Sequence, residues 1–193
     1  MKFPPPGSPA LSLVADVSRP AEATAAVNRV RANLGAVGVL IHNASSSLGE
    51  GLLATTPGSF GAILAQRRRS GGFVCARETA PDMLATGAGV MLFTGATSSV
   101  RGGGWLSFSS AKFAVRGLAQ SLARELWPRG VHVAHVVIDG LIAAPRTDEE
   151  ASDDEPASIP PAFADAYWHL ATRDRSAGTL ELDLRPHTEQ FYV

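Results

Sequence analysis

The chain is poor in cysteine, in lysine and in long apolar runs, and each scarcity excludes something. Its single cysteine, Cys75, leaves no intramolecular disulfide and no cysteine-built metal cluster. His132, His135, His169 and His187 are scattered without ligand spacing, so no metal site is expected. No apolar stretch approaches the roughly 18 to 20 residues that cross a bilayer. Met1 to Pro9 hold one lysine and a proline-rich stretch, which is not the pattern of a secretion signal. A cytoplasmic protein without a membrane partner is the expectation. A formal net charge of −1 offers no field to draw nucleic acid.

Lysine is the scarcest cation: of 17 basic residues only Lys2 and Lys112 are lysines. Where arginine is the default surface cation, an internal lysine marks a position that wants a compact ammonium.

What is present fits one globular unit. With 193 residues, 45% hydrophobic and 18% charged, the chain can bury a core and is short for two domains. Residues 1–193 are expected to form a single domain, with residues 1–10 a disordered N-terminal segment. Residues 145–160 are expected to be a flexible acidic loop, because Asp148, Glu149, Glu150, Asp153, Asp154 and Glu155 repel one another.

Short apolar runs alternate with helical stretches. Leu11 to Val17 reads as a strand. Ser18 and Pro20 then suit a helix start, and Ala23, Val27, Val30 and Leu34 recur at helical spacing until Gly35. Val37 to Ile41 is a second strand, and residues 58 to 86 read as one or two helices interrupted near Gly71-Gly72 and Pro81. Gly89 to Phe93 is a third strand. The best helix runs from Ser109 to Trp127, with Val115, Leu118, Leu122 and Leu126 on one stripe and Lys112, Arg116, Gln120 and Arg124 on another. Val131 to Ile138, a helix near 162–171, and Thr179 to Leu184 complete the order. Strands alternating with helices predict an α/β fold, a doubly wound parallel sheet covered on both faces. Such sheets bind ligands beyond the carboxyl ends of their strands, and Asp16, Asn43, Thr94 to Ser99 and Asp139 all fall at such ends.

The stretch GVMLFTGATSSVRGGGWLSFSSAKFAVRGLAQSLARELWPRGVHVAHVVIDG, residues 89 to 140, resembles the catalytic half of a short-chain dehydrogenase/reductase. Asn43-Ala44 and Asp16-Val17 extend the resemblance backwards, and YWHLATRDRSAGTLELDLRP extends it forwards. The resemblance implies a Rossmann-like fold, NAD or NADP as cofactor, and hydride transfer to or from the carbonyl or alcohol carbon of a small-molecule substrate. It implies a homo-oligomer as well, in which the lysine-bearing helix packs on its mate through Ala111, Ala114, Ala119 and Ala123.

Carried over position by position, the resemblance places Lys112 on the nicotinamide ribose. The family's proton-transferring tyrosine falls on Phe108, and its substrate-binding serine falls on Gly95. The family's asparagine falls near Arg68. Ser98, beside Thr97 and Ser99, has two readings: a hydroxyl that replaces the missing serine, or a turn-capping group. Asp16 and Val17 match the adenine-contacting pair, although Asp16 can equally cap its own turn. Asn43 and Ala44 match the wall of the cofactor groove, and Ile142 matches a backbone contact to the nicotinamide carboxamide. No T-G-x-x-x-G-x-G loop precedes Leu11, so the first two strands of the family fold are expected to be absent. Leu11 to Val17 must then either close against Val37 to Ile41 or leave an open edge. Activity is expected to be weak or absent, and the alternative is a non-catalytic relative acting as an interaction or regulatory protein.

Overall fold

The computed structural model describes residues 8–45, 51–61, 71–142, 157–158 and 160–187. Its centre is a parallel sheet of four strands. These are β1 (Val39–His42), β2 (Gly89–Thr94), β3 (Val131–Ile138) and, after two short strands described below, β6 (Glu181–Leu184), in the spatial order β1-β2-β3-β6. The β2–β3 pair runs from Gly89 opposite Val131 to Thr94 opposite Val136. Nearly every residue of these two strands is buried, as expected for a parallel sheet covered on both faces.

Helices close the two faces. On one side α2 (Gly71–Thr86) and α3 (Leu106–Leu126) pack Ala76, Met83, Ala119, Ala123 and Leu126 onto Met91, Phe93, Val131 and Val133. On the other, α4 (Pro160–Thr172) lays Leu170 and Tyr167 against Val90, Leu92, Ala134 and Val136. The turns that follow α2 and α3 meet below the sheet. Gly130 has φ +87°, and a Cβ there would fall on the Gly87 carbonyl, so only glycine fits.

The helix α1 (Pro20–Leu34) begins with proline and ends at Gly35, as read from the sequence. It docks on α2 through Arg31, which pairs with Asp82 at 3.0 Å and donates to the Glu78 carbonyl. Asp82 also accepts the Val37 N–H at 2.9 Å, so one carboxylate ties α1, α2 and the approach to β1 together.

Several expectations are corrected. Leu11 to Val17 forms no strand: its burial alternates residue by residue, but among the described residues it has no ladder partner. The closure against β1 does not occur, and among the described residues β1 pairs only with β2, leaving its outer edge open. Ser18 does not cap α1. The cap position is Arg19, while Asp16 accepts both the amide (2.9 Å) and the hydroxyl (2.7 Å) of Ser18. Pro81 lies inside α2 without ending it, and the lysine helix starts at Leu106, before Ser109. Ala111, Ala119 and Ala123 are buried in the chain's own core, so they cannot face a mate; Phe113, Ala114 and Gly117 hold the exposed face. The acidic run from Asp148 to Glu155, Arg68 and residues 1–7 lie outside the described residues. Among the described residues, no helix is long and apolar enough to cross a membrane.

Asp82→Ala should cost about 1–2 kcal/mol by removing the Arg31 pair and orphaning the Val37 amide. Those bonds hold the Asp82 carboxyl below its ordinary value of 3.8. A group depressed on folding stabilises above its unfolded pKa, and that stability is lost as pH falls. Thermal melts should show the wild-type advantage in full at pH 7, shrinking as the pH drops below 3.8.

Candidate functional site at the carboxyl edge of the sheet

The carboxyl ends of the four strands gather the polar residues. Lys112 stands in the second turn of α3, only 6% exposed, and its Nζ donates to the Thr94 carbonyl at 3.1 Å. A buried ammonium needs such partners, because burial without them would favour the neutral amine. One turn earlier Phe108 is itself buried, with its ring centroid 5.5 Å from the Lys112 Nζ, a cation–π contact. Phe108 and Lys112 therefore stand together, as their spacing implies on one helix face.

Thr94 is held from the other side of the sheet as well. Its hydroxyl shares a 2.6 Å hydrogen bond with that of Tyr167 on α4. Burial raises the Tyr167 pKa above its ordinary 10.0, against the opposing pull of the Thr94 bond. At the end of β1 the His42 ring tilts against Phe93 with centroids 6.0 Å apart. Burial lowers the His42 pKa, and the Lys112 charge pushes the same way.

The segment after β2 turns at Thr97–Ser99 in a single 3-10 turn. Gly95 donates its amide to Val136, and Ser99 Oγ accepts the Ala96 amide at 3.0 Å. Thr97 donates its hydroxyl to Asp139 at the end of β3, and Asp139 pairs with Arg185, just past β6, at 3.0 Å. Arg185 also grips Asp183 at 2.7 Å. One hydrogen bond and two ion pairs thereby tie the ends of β2, β3 and β6.

A second chain runs from the sheet interior to its surface. His135 on β3 is 1% exposed and pairs through Nδ1 with Glu181 on β6 at 3.0 Å. Glu181 in turn accepts two bonds from Arg116 on α3, each at 2.7 Å. Burial lowers the His135 pKa, against the raising influence of Glu181. Burial works to raise the Glu181 pKa, but the bonds from Arg116 and His135 outweigh it and leave it below its ordinary value. Sequence reasoning missed both chains, since their members lie on separate elements. The available signal was a histidine at each of two places inside an otherwise apolar strand, VHVAHVVI.

The sequence-derived residues meet different fates. Ser98 is buried in the 97–99 turn at this edge. Asn43 and Ala44 follow β1 and are exposed. Ile142, half-exposed, lies in the short strand β4 (Leu141–Ile142), which pairs with β5 (Ala157–Ser158). Asp16 commits its carboxylate to Ser18 and to Arg19 (3.3 Å) in the turn before α1. Val17 lies against Gly71 at the start of α2, next to Gly72, which packs on His42 and Phe93 at the ends of β1 and β2.

Lys112 on α3, Asn43 just after β1 and Ile142 on β4 offer a cation, an amide and a strand backbone. Among the described residues, no glycine-rich turn is built as a pyrophosphate cradle: Gly102 and Gly104 stand in open space, where no close backbone approach demands glycine.

A family model described as short chain dehydrogenase matches residues 4–155. The chain belongs to this family. Among curated relatives, a 3alpha-hydroxysteroid dehydrogenase of Mediterraneibacter gnavus is 34% identical over 145 residues, covering 75% of this chain and 56% of that protein. Among solved structures, a short-chain dehydrogenase of Rhodopseudomonas palustris is 39% identical with a TM-score of 0.72, covering 89% of this chain and 72% of that one. A metagenomic short-chain oxidoreductase in complex with NADP shares the fold at 24% identity and a TM-score of 0.76, over 95% of this chain and 76% of its own. This short-chain dehydrogenase chain spans about half the length of the curated relatives it matches.

Tyr167 provides a check on the geometry of this edge. The chain has two tyrosines, so in a Tyr192→Phe background the phenolate absorbance reports Tyr167 alone. It should emerge only above pH 10, and Thr94→Ala should shift it further up, because the lost hydrogen bond is the influence that opposes burial.

Proposed function

We propose that the chain is an NAD(P)-dependent oxidoreductase in kind, acting between a carbonyl and an alcohol, with a proton-transfer apparatus reduced to Lys112. The observation that carries this reading is the buried ammonium of Lys112, fixed on the Thr94 carbonyl at the carboxyl edge of β2. Family membership supports it, as do relatives described as dehydrogenases and a structural neighbour described with NADP. Bound at this edge, a nicotinamide dinucleotide would supply or accept the hydride. The chain's own part is to hold the ribose hydroxyls with Lys112 and to line the groove with Asn43, Ala44 and Ile142. The adenine-contacting role of Asp16 and Val17 rests on the resemblance, and Val17 packs on Gly71 beside the strand ends.

Phe108 limits the chemistry, because its ring has no proton to give or take where the family presents a phenol. General acid–base catalysis contributes about 10²–10⁴-fold where it operates, so hydride transfer here is proposed to be slow. A second reading, a non-catalytic family member that serves as an interaction or regulatory protein, draws on Phe108 and on the absence of a hydroxyl at Gly95. Under either reading we propose a homo-oligomer, with the Phe113, Ala114 and Gly117 face of α3 as its contact.

Titration of NADH and NADPH into the purified chain, followed by fluorescence transfer from tryptophan, separates the two. Saturation below millimolar cofactor supports the oxidoreductase, and no binding at that concentration removes it. If cofactor binds, Phe108→Tyr places a phenol beside the Lys112 charge, which lowers its pKa. Carbonyl reduction should then rise by about 10-fold or more, and an unchanged rate would show that the missing phenol is not what limits turnover.

A further inference from the structure

The absence of a side chain at position 95 has a physical cause within the fold. A Cβ built on Gly95 would overlap His135 Nε2 and lie 2.7 Å from both His135 Cε1 and Ser99 Oγ. The imidazole already fills the volume into which a residue at 95 would project. It is not free to withdraw: β3 fixes its backbone, Glu181 holds Nδ1, and Arg116 clamps Glu181 with two bonds. His135 Nε2 is buried and has no hydrogen-bond partner.

We infer that His135 is a positioning residue of this edge. Braced by Glu181 and Arg116, its ring occupies the seat of the absent residue-95 side chain and sets the path of the Gly95–Ser99 turn. Three consequences follow from the contacts. Glycine at 95 is required by His135, not by backbone conformation, since 95 is not among the glycines with positive φ. The Nδ1–H is committed to the Glu181 carboxylate, so Nε2 is a bare acceptor facing the turn. Ser99 Oγ accepts from the Ala96 amide, so the turn beside the ring is closed by a bond of its own. Reintroducing a serine at 95 therefore cannot restore a family-like arrangement while His135 remains. The inference does not depend on the chain moving a hydride.

The test is a mutant cycle on the intact chain without added cofactor. Gly95→Ser alone should lower the Tm by several degrees or prevent folding. His135→Ala alone should cost less, and Gly95→Ser with His135→Ala should be clearly more stable than Gly95→Ser alone, because the serine enters the vacated space. If Gly95→Ser is tolerated, or if the double variant is no better than Gly95→Ser, His135 is not the occupant and the inference fails. A second readout distinguishes positioning from bulk filling. Glu181, Arg116 and Lys112 are the charged groups that act on the ring. In nitrogen-resolved NMR, neutral His135 should carry its proton on Nδ1, and the Ala96 and Ser99 amide signals should move when Glu181→Gln weakens the brace. Amides that stay fixed, or a proton on Nε2, would overturn the proposed role.

Discussion

The parallel pairing of β2 with β3 is the constraint from which the rest of this molecule follows. Six residues on each strand meet in register, and both faces of the pair are covered, so neither strand can slip without exposing a full set of apolar side chains. The pairing brings Thr94 and Val136 level, and Gly95 closes the ladder with its bond to Val136. That fixes where β2 ends, and so where the Thr94 carbonyl stands to receive Lys112. The helix that carries Lys112 is placed by the same sheet, through Ala119, Ala123 and Leu126 on Val131 and Val133. Core and site are one construction viewed from two sides.

The edge beyond that pair is polar in an orderly way. One chain of polar contacts, Thr97 to Asp139 to Arg185, links the strand ends, and another, Arg116 to Glu181 to His135, links α3 and β6 to the middle of β3. The carboxylates of both chains face guanidiniums, which is the condition for tolerating such charges where they are buried. The two chains make β6, only four residues long, a keystone: Asp183 and Glu181 both lie on it, and Arg185 follows it.

The order of elements was legible because periodicity and punctuation record local conformation directly. Gly35 and Pro20 bound α1 as read, and Val131 to Ile138 is a strand over the residues expected. The failures have one source, the partner that a local pattern cannot name. Leu11 to Val17 alternates as a strand should, yet a strand exists only against a neighbour, and it has none among the described residues. Ala111, Ala119 and Ala123 read equally well as an interface or a core, and burial alone decides for the core. At the site, Lys112 and Phe108 were visible because one helix carries both. The Gly95–His135 relation was not, since nothing in forty intervening residues says that a ring on one strand fills the space above the next.

The open outer side of β1 bears on how the molecule behaves in company. Val39 and Ile41, alternate residues of the strand, turn their amides and carbonyls to that side without a ladder partner among the described residues, and Ile41 is half-exposed. Natural edge strands are commonly guarded by lysine, proline or a bulge, and this strand carries neither residue in a chain where lysine is nearly absent. Such an edge is a template: any extended peptide of suitable length can add to it through main-chain bonds alone, whatever its sequence. Among the described residues, the backbone of Val39 and Ile41 is thus the place where an extended segment could join the sheet.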